Sequence, residues 1–377
     1  MNKYIRNISL WGFCGMAIAT ASCSDWTETE AKAIDHVGGF ATMFNTESET
    51  YYQNLRAYKK QAENYGRPVA FGWFSNWAPT GIMRKGYLSA VPDSMDIISM
   101  WSGAPGRYEI TEAQKRDKEF VQKVKGIKLL EVSLLSHLGK GRTPKSVYDG
   151  LAERAKAENW TDRQLKQAQT HARWDFWGFT SHDLGNTEEL KAALSRYAKA
   201  LCDSLVVNEW DGFDIDWEPG AGFNDADGTL RTETFVYLVK EMGKYIGPKS
   251  DPEGKGHKLL CIDGEIGYLP AELNEYVDYW IRQEYGRSYP RTQVPGGETK
   301  KLIITENFES SAASGGYLLA QARFMPDEGP KGGVGAYRFD NDYNNLPDYK
   351  WMREAIRINQ EVFNQWKAEQ HEDKDSE

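Results

Sequence analysis

Short apolar runs recur along the chain, separated by longer stretches with helical character. The runs occupy residues 69–77, 95–101, 127–134, 212–217, 258–263, 277–285, 302–305 and 334–339. Helical stretches fall between several of them, at 111–124, 188–206 and 232–246, and 350–365 closes the series. Alternation of this kind is the pattern of parallel βα units. Eight such strands predict an α/β fold, a (β/α)8 TIM barrel over residues 67–366, with chemistry at the C-terminal ends of its strands.

Four segments lie outside this minimal barrel. Residues 23–66 form a linker and N-terminal extension, helical around 48–63, expected as a brace over the barrel floor. Residues 139–184 form a long insertion after the third strand and carry Trp160, Trp174, Phe176, Trp177 and Phe179. Long loops leaving the C-terminal face shape substrate clefts, so these aromatics either line the cleft or pack the insertion's own helices. Residues 367–377 are a charged tail, expected to be disordered. Residues 1–22 read as an export signal: Lys3 and Arg6 precede an apolar run at 8–21 that is too short to span a bilayer as a mature helix.

The fourth apolar run differs from the others in carrying acids at alternate positions. It reads Asp211-Gly212-Phe213-Asp214-Ile215-Asp216-Trp217-Glu218. Side chains alternate across an extended strand, so Asp214, Asp216 and Glu218 share one face while Phe213, Ile215 and Trp217 share the other. With Gly at the second position and apolar residues at the third, fifth and seventh, the pattern is expected roughly 0.001 times per chain by chance. Three adjacent carboxyls cannot all ionise freely, and one is expected to hold a proton near neutral pH, as a general acid must. Glu218, the outermost, is the candidate acid. Asp211 lies off that face and is expected to hold the strand or a loop.

This octet resembles the fourth-strand signature of glycoside hydrolase family 18, which includes chitinases, endo-β-N-acetylglucosaminidases and lectin-like members that have usually lost one of the acids. All four acids are present here. The resemblance implies a substrate-assisted retaining mechanism, in which the sugar's own 2-acetamido oxygen attacks the anomeric carbon. By position, Glu218 would protonate the glycosidic oxygen and then activate water. Asp216 would orient the acetamido group and stabilise the oxazolinium, and Asp214 would share a proton with Asp216.

Two further places bear on the substrate. The sixth strand ends Gln283-Glu284-Tyr285, so that Gln283 and Tyr285 face the same side. This resembles the Gln-x-Tyr of family members acting on N-glycans more than the Met-x-Tyr of chitinases, and it implies that the Tyr285 hydroxyl binds the acetamido carbonyl. On the eighth strand, where chitinases place a Trp beneath the reacting sugar, this chain has Tyr337. Trp73, Trp101, Glu265 and Asn307 lie near strand ends and are further candidates for lining the cleft. The resemblance thus implies an endo-β-N-acetylglucosaminidase acting on the GlcNAc-GlcNAc core of N-glycans. A chitinase and a non-catalytic surface glycan-binding protein are the alternatives.

Composition narrows the field further. A net charge of −9 with no Lys/Arg cluster argues against nucleic acid as a partner. Thirteen Trp and twenty Tyr suit either sugar stacking or ordinary barrel packing. Of the four cysteines, Cys14 lies in the export segment, while Cys202 and Cys261 read as buried thiols in a helix and a strand. Thr20-Ala21-Ser22-Cys23 resembles a bacterial lipobox with Thr20 in place of the usual aliphatic residue. It implies a lipidated Cys23 and an envelope lipoprotein, in the outer membrane and on its surface if the acids after Ser24 act as a sorting signal. No His spacing suits a metal and no phosphate-binding glycine loop appears, so neither metal nor cofactor is expected, and a monomer is.

Overall fold

The computed structural model describes residues 47–82, 84–101, 109–220 and 222–375. Cys23 and the export segment lie outside the described residues. By internal contacts the chain divides at Tyr52, and the second unit, Gln53–Glu377, holds the whole barrel.

Eight parallel strands close on one another in sequence order: β1 (Val69–Phe74), β2 (Ile97–Met100), β3 (Lys128–Leu134), β4 (Gly212–Trp217), β5 (Leu259–Gly264), β6 (Tyr279–Gln283), β7 (Leu302–Asn307) and β8 (Gly333–Tyr337). The barrel closes where β8 pairs with β1, Val69 opposite Gly333 and Gly72 opposite Ala336. The helices are α1 (Glu49–Lys60), α2 (Glu112–Glu119), α3 (Leu151–Ala157), α4 (Asp162–Phe176), α5 (Thr187–Val207), α6 (Thr232–Met242), α7 (Phe308–Ser311), α8 (Leu318–Arg323) and α9 (Lys350–Asp375). The ring is irregular: among the described residues, β1 to β2, β5 to β6 and β6 to β7 are joined through short 3-10 turns instead of α-helices.

The barrel's lower interior is apolar, built from Val69, Phe71, Trp73, Ile97, Leu130, Val132, Cys261, Tyr279, Ile281 and Ile303. Toward the C-terminal ends of the strands the inward positions turn polar, to Ser99, Asp214, Asp216, Asp263 and Thr305, each buried. This change of character places the chemistry. Outward positions pack on the helices, and the Trp217 ring stacks on Phe235 of α6 with centroids 3.8 Å apart. The floor is braced from α1, as expected: Arg56 Nη1 donates to the Val124 carbonyl at 2.8 Å and Lys59 Nζ to the Asp93 carbonyl at 2.7 Å.

The structure shortens some of the expected strands, for local reasons, and lengthens one, β7. Strand β1 stops at Phe74 because the next residues bond to side chains: Ser75 N–H donates to Asp340 and Trp77 Nε1 to Asp117. Strand β6 begins at Tyr279, since Asp278 turns its carboxylate to accept from Leu260 N–H and His257 Nε2. Residues 367–375 of the charged tail are helical where disorder was expected. Helix α9 runs on to Asp375, because nothing in the Lys-Ala-Glu-Gln sequence after Trp366 stops a helix.

The insertion resolves in favour of internal packing. Trp174, Trp177 and Phe179 are buried, with Trp174 against Phe179 and Trp177 against Tyr197 of α5. Phe176 is half exposed, and the Trp160 ring lies under the Arg154 guanidinium. Cys202 and Cys261 are free and buried. Among the described residues no helix is long and apolar enough to cross a membrane.

Candidate active site

A cavity of about 200 Å³ opens at the C-terminal end of the barrel, lined by Trp73, Trp101, Asp216, Glu218, Asp263, Gln283, Tyr285 and Tyr337. Strand β4 supplies its acids. Its alternation sends Asp214 and Asp216 inward, and Glu218 follows one residue beyond the strand. Burial grades along that row: Asp214 and Asp216 are enclosed, and Glu218 is part-exposed. Two glycines make room for Glu218. A Cβ on Gly222 would stand 2.7 Å from Glu218 Oε2, and one on Gly264, at φ +94°, would stand 3.0 Å from Glu218 Cγ.

Asp214 is fixed from beneath. Its Oδ2 accepts from Trp73 Nε1 at 3.0 Å and Ser99 Oγ at 2.7 Å. Burial nonetheless outweighs those bonds and pushes the Asp214 carboxyl up to about 6. Asp216 is pushed further, to about 8, first by burial and then by the charges of Glu218 and Asp214. Tyr285 is pushed well above the usual phenol range by burial and by the neighbouring Asp263, Asp216 and Glu218, so its hydroxyl stays a donor.

The aromatic wall surrounds these acids. Tyr337 lies parallel to Tyr285 at 6.3 Å and meets Trp101 edge-on at 5.4 Å and Trp73 at 6.2 Å. Trp101 is 39% exposed and stands at the rim, whereas Trp73 is 1% exposed and holds Asp214.

The structure brings Glu218, Asp216, Tyr285, Gln283, Trp73, Trp101 and Tyr337 together, with Asp214 directly behind them. Glu265 and Asn307 are not among the residues lining the cavity. Glu265 accepts from Gly220 N–H at 3.1 Å and so ties down the loop after β4, and Asn307 caps α7 by accepting from Glu309 N–H at 2.8 Å. Asp211 accepts from Leu129 N–H at 2.9 Å and Gln122 Nε2 at 2.7 Å, which locks β4 to β3. The residue that sequence reasoning missed is Asp263, at the end of β5 and paired in register with Asp216. A carboxylate closing the apolar run Leu259-Leu260-Cys261-Ile262 was the available signal.

A larger cavity of about 380 Å³, lined by Cys202, Tyr245, Asp251, His257 and others, lies at the opposite, N-terminal end of β5. It gathers no comparable set of acids. No group of three or more His, Cys, Asp or Glu among the described residues is arranged to hold a metal ion.

Residues 27–358 match the model of glycoside hydrolase family 18, BT1044-like. The chain belongs to glycoside hydrolase family 18. Among solved structures of the family's fold, a selenomethionine form of BT1044 with a Glu-to-Gln substitution is 27% identical, with a TM-score of 0.64, covering 84% of this chain and 93% of that one. The apo endo-β-N-acetylglucosaminidase of Cordyceps militaris is 18% identical with a TM-score of 0.55, covering 84% and 97%. A doubly substituted form of it, in complex with fucosyl-N-acetylglucosamine-Asn, is 16% identical with a TM-score of 0.54 over the same shares. No curated protein matches the chain in sequence.

The acid cluster has a consequence for stability. An acid whose pKa is raised on folding holds its proton more tightly when folded, so its contribution is complete below the unfolded value and is lost as pH rises through the folded one. For Asp216 that window runs from 3.8 to about 8. The melting temperature is expected to decline across it. Asp216→Asn, which cannot ionise, should decline less, and thermal melts of both proteins at stepped pH check this.

Proposed function

We propose that this chain is a retaining, substrate-assisted endo-β-N-acetylglucosaminidase that cleaves between the two core GlcNAc residues of N-glycans. One observation carries the reading. Of the carboxyls lining the cavity only Glu218 is appreciably exposed, while Asp216 is 2% exposed and Asp263 is 0%. A protein nucleophile needs a second accessible carboxylate at the anomeric carbon, and none is offered there.

The chemistry follows from the positions. Glu218 protonates the glycosidic oxygen as the C–O bond breaks, and the acetamido oxygen of the substrate forms the new bond to the anomeric carbon. The oxazolinium that results is positive, which favours the ionised form of Asp216, with the proton of the pair resting on Asp214. The Tyr285 hydroxyl donates to the acetamido oxygen and orients it. Glu218, now a base, takes a proton from water as that water opens the ring.

Gln283 and Tyr285 at the cavity, and Tyr337 where a chitinase carries Trp, favour N-glycan over linear chitin. The Cordyceps enzyme's ligand, fucosyl-N-acetylglucosamine-Asn, is the kind of asparagine-linked stub this cleavage would leave. The intact acids weigh against a purely binding role. Mass spectrometry of a defined N-glycoprotein panel tests the reading: one GlcNAc should remain on asparagine. Vigorous hydrolysis of chitin oligomers with no action on any N-glycan would reverse it.

The reading extends to location: Cys23 is the lipid-bearing first residue of the exported chain, holding it at the outer membrane. Cys23→Ser should move the protein from the membrane to the soluble fraction with unchanged activity. A wild type already soluble after fractionation would contradict this.

A further inference from the structure

Asp214, Asp216 and Asp263 each have one oxygen that no hydrogen-bond donor reaches: Asp214 Oδ1, Asp216 Oδ1 and Asp263 Oδ2. All three carboxyls are buried, and buried acceptors left unpaired are costly. Asp263 is within hydrogen-bonding reach of both neighbours. A carboxylate cannot donate to a carboxylate, so a hydrogen bond between Asp263 and either neighbour needs a proton on one of the two.

The remaining bond of Asp263 says where one proton sits. Its Oδ1 accepts from Gln283 Nε2 at 2.8 Å, which suits the carbonyl oxygen of a protonated acid and leaves Oδ2 to carry the hydrogen. Gln283 itself lines the cavity. Asp263 therefore connects the cavity wall to the acid row of β4.

We propose that Asp263 is a positioning residue which keeps a proton on Oδ2, donates it to Asp214 and Asp216, and through Oδ1 holds Gln283, so that Asp216 and Gln283 are both fixed against the bound acetamido group. The role assigned to Asp216 rests on the function proposed above. Burial, and after it the charges of Asp216 and Asp214, hold the Asp263 carboxyl well above the usual carboxylate range, in keeping with a permanent donor. A neutral donor beside Asp216 also lets that carboxyl ionise when the oxazolinium forms, without placing a second negative charge next to it.

Two substitutions and one spectrum test this. In Asp263→Asn the amide nitrogen donates where the acid's hydroxyl did and the amide oxygen accepts from Gln283 as before. This variant should keep kcat within about 10-fold of wild type, because the reacting groups stay in place. Asp263→Leu removes both bonds and should lower kcat by on the order of 10²-fold, the scale of a small misplacement, with KM little changed. The infrared spectrum at neutral pH should contain one protonated-carboxyl band more in the wild type than in Asp263→Asn, because the Asp214–Asp216 pair keeps its own shared proton in both proteins. Loss of activity in Asp263→Asn would overturn the proposal, as would protonated-carboxyl intensity in the wild type no greater than in that variant. If the wild type cleaves no N-glycan, the functional reading fails, and the infrared comparison alone decides the state of Asp263.

Discussion

Glu218→Gln should still bind N-glycan while cleaving it about 10²–10⁴-fold more slowly, the range typical of lost general acid–base catalysis. The substitution keeps the size of the side chain and its place between Gly222 and Gly264, where an added atom would meet Glu218 within 3.0 Å. What disappears is the proton. A glutamine can neither protonate the departing oxygen nor take a proton from water, so both halves of the reaction suffer. Initial rates on a defined N-glycopeptide, with binding measured separately by calorimetry, check this. An unaltered rate would remove Glu218 from the mechanism.

Asp216→Asn should fail in a different way. In the proposed mechanism the wild-type carboxyl ionises against the forming oxazolinium and stabilises it, and an amide cannot supply that charge. Hydrolysis of intact glycan is therefore expected to fall by on the order of 10²–10³-fold, the loss seen when one stabilising group is removed from a charged transition state. A preformed sugar oxazoline skips the impaired step. With Glu218 intact, the variant should still open that oxazoline, and chromatography of the products from intact glycan and from oxazoline separates the two steps. Equal impairment on both donors would contradict the division of labour between Asp216 and Glu218.

Much of this architecture is legible along the chain because a barrel repeats one local pattern. Each strand is a short apolar run, and β4 falls at residues 212–217 as the alternation requires. The acid row could be read for the same reason, since Asp214, Asp216 and Glu218 lie on one strand and the period of two puts them on one face. Asp263 escaped because its meaning is not local. A single carboxylate closing β5 has no periodicity of its own, and only the register with Asp216 across the strand pair gives it a role.

The rim was harder to read for a related reason. Glu265 and Asn307 sit at strand ends as expected, yet each spends its side chain on a nearby backbone N–H. Whether a polar residue at such a place faces substrate or caps a loop depends on the loop's path, which no pattern of residues records. The aromatics of the insertion posed the same problem. Trp174 and Trp177 could face either way, and packing against Phe179 and Tyr197 decides it.

In the proposed reaction the attacking oxygen comes from the substrate. That origin is tested most directly by the intact mass of the wild-type protein during turnover of a slow, activated GlcNAc-containing donor. The protein should keep its unmodified mass at every time point, because the proposed intermediate is a sugar oxazolinium held by Asp216 and Tyr285 without a covalent bond. A glycosyl adduct on any Asp or Glu of the chain would contradict the account.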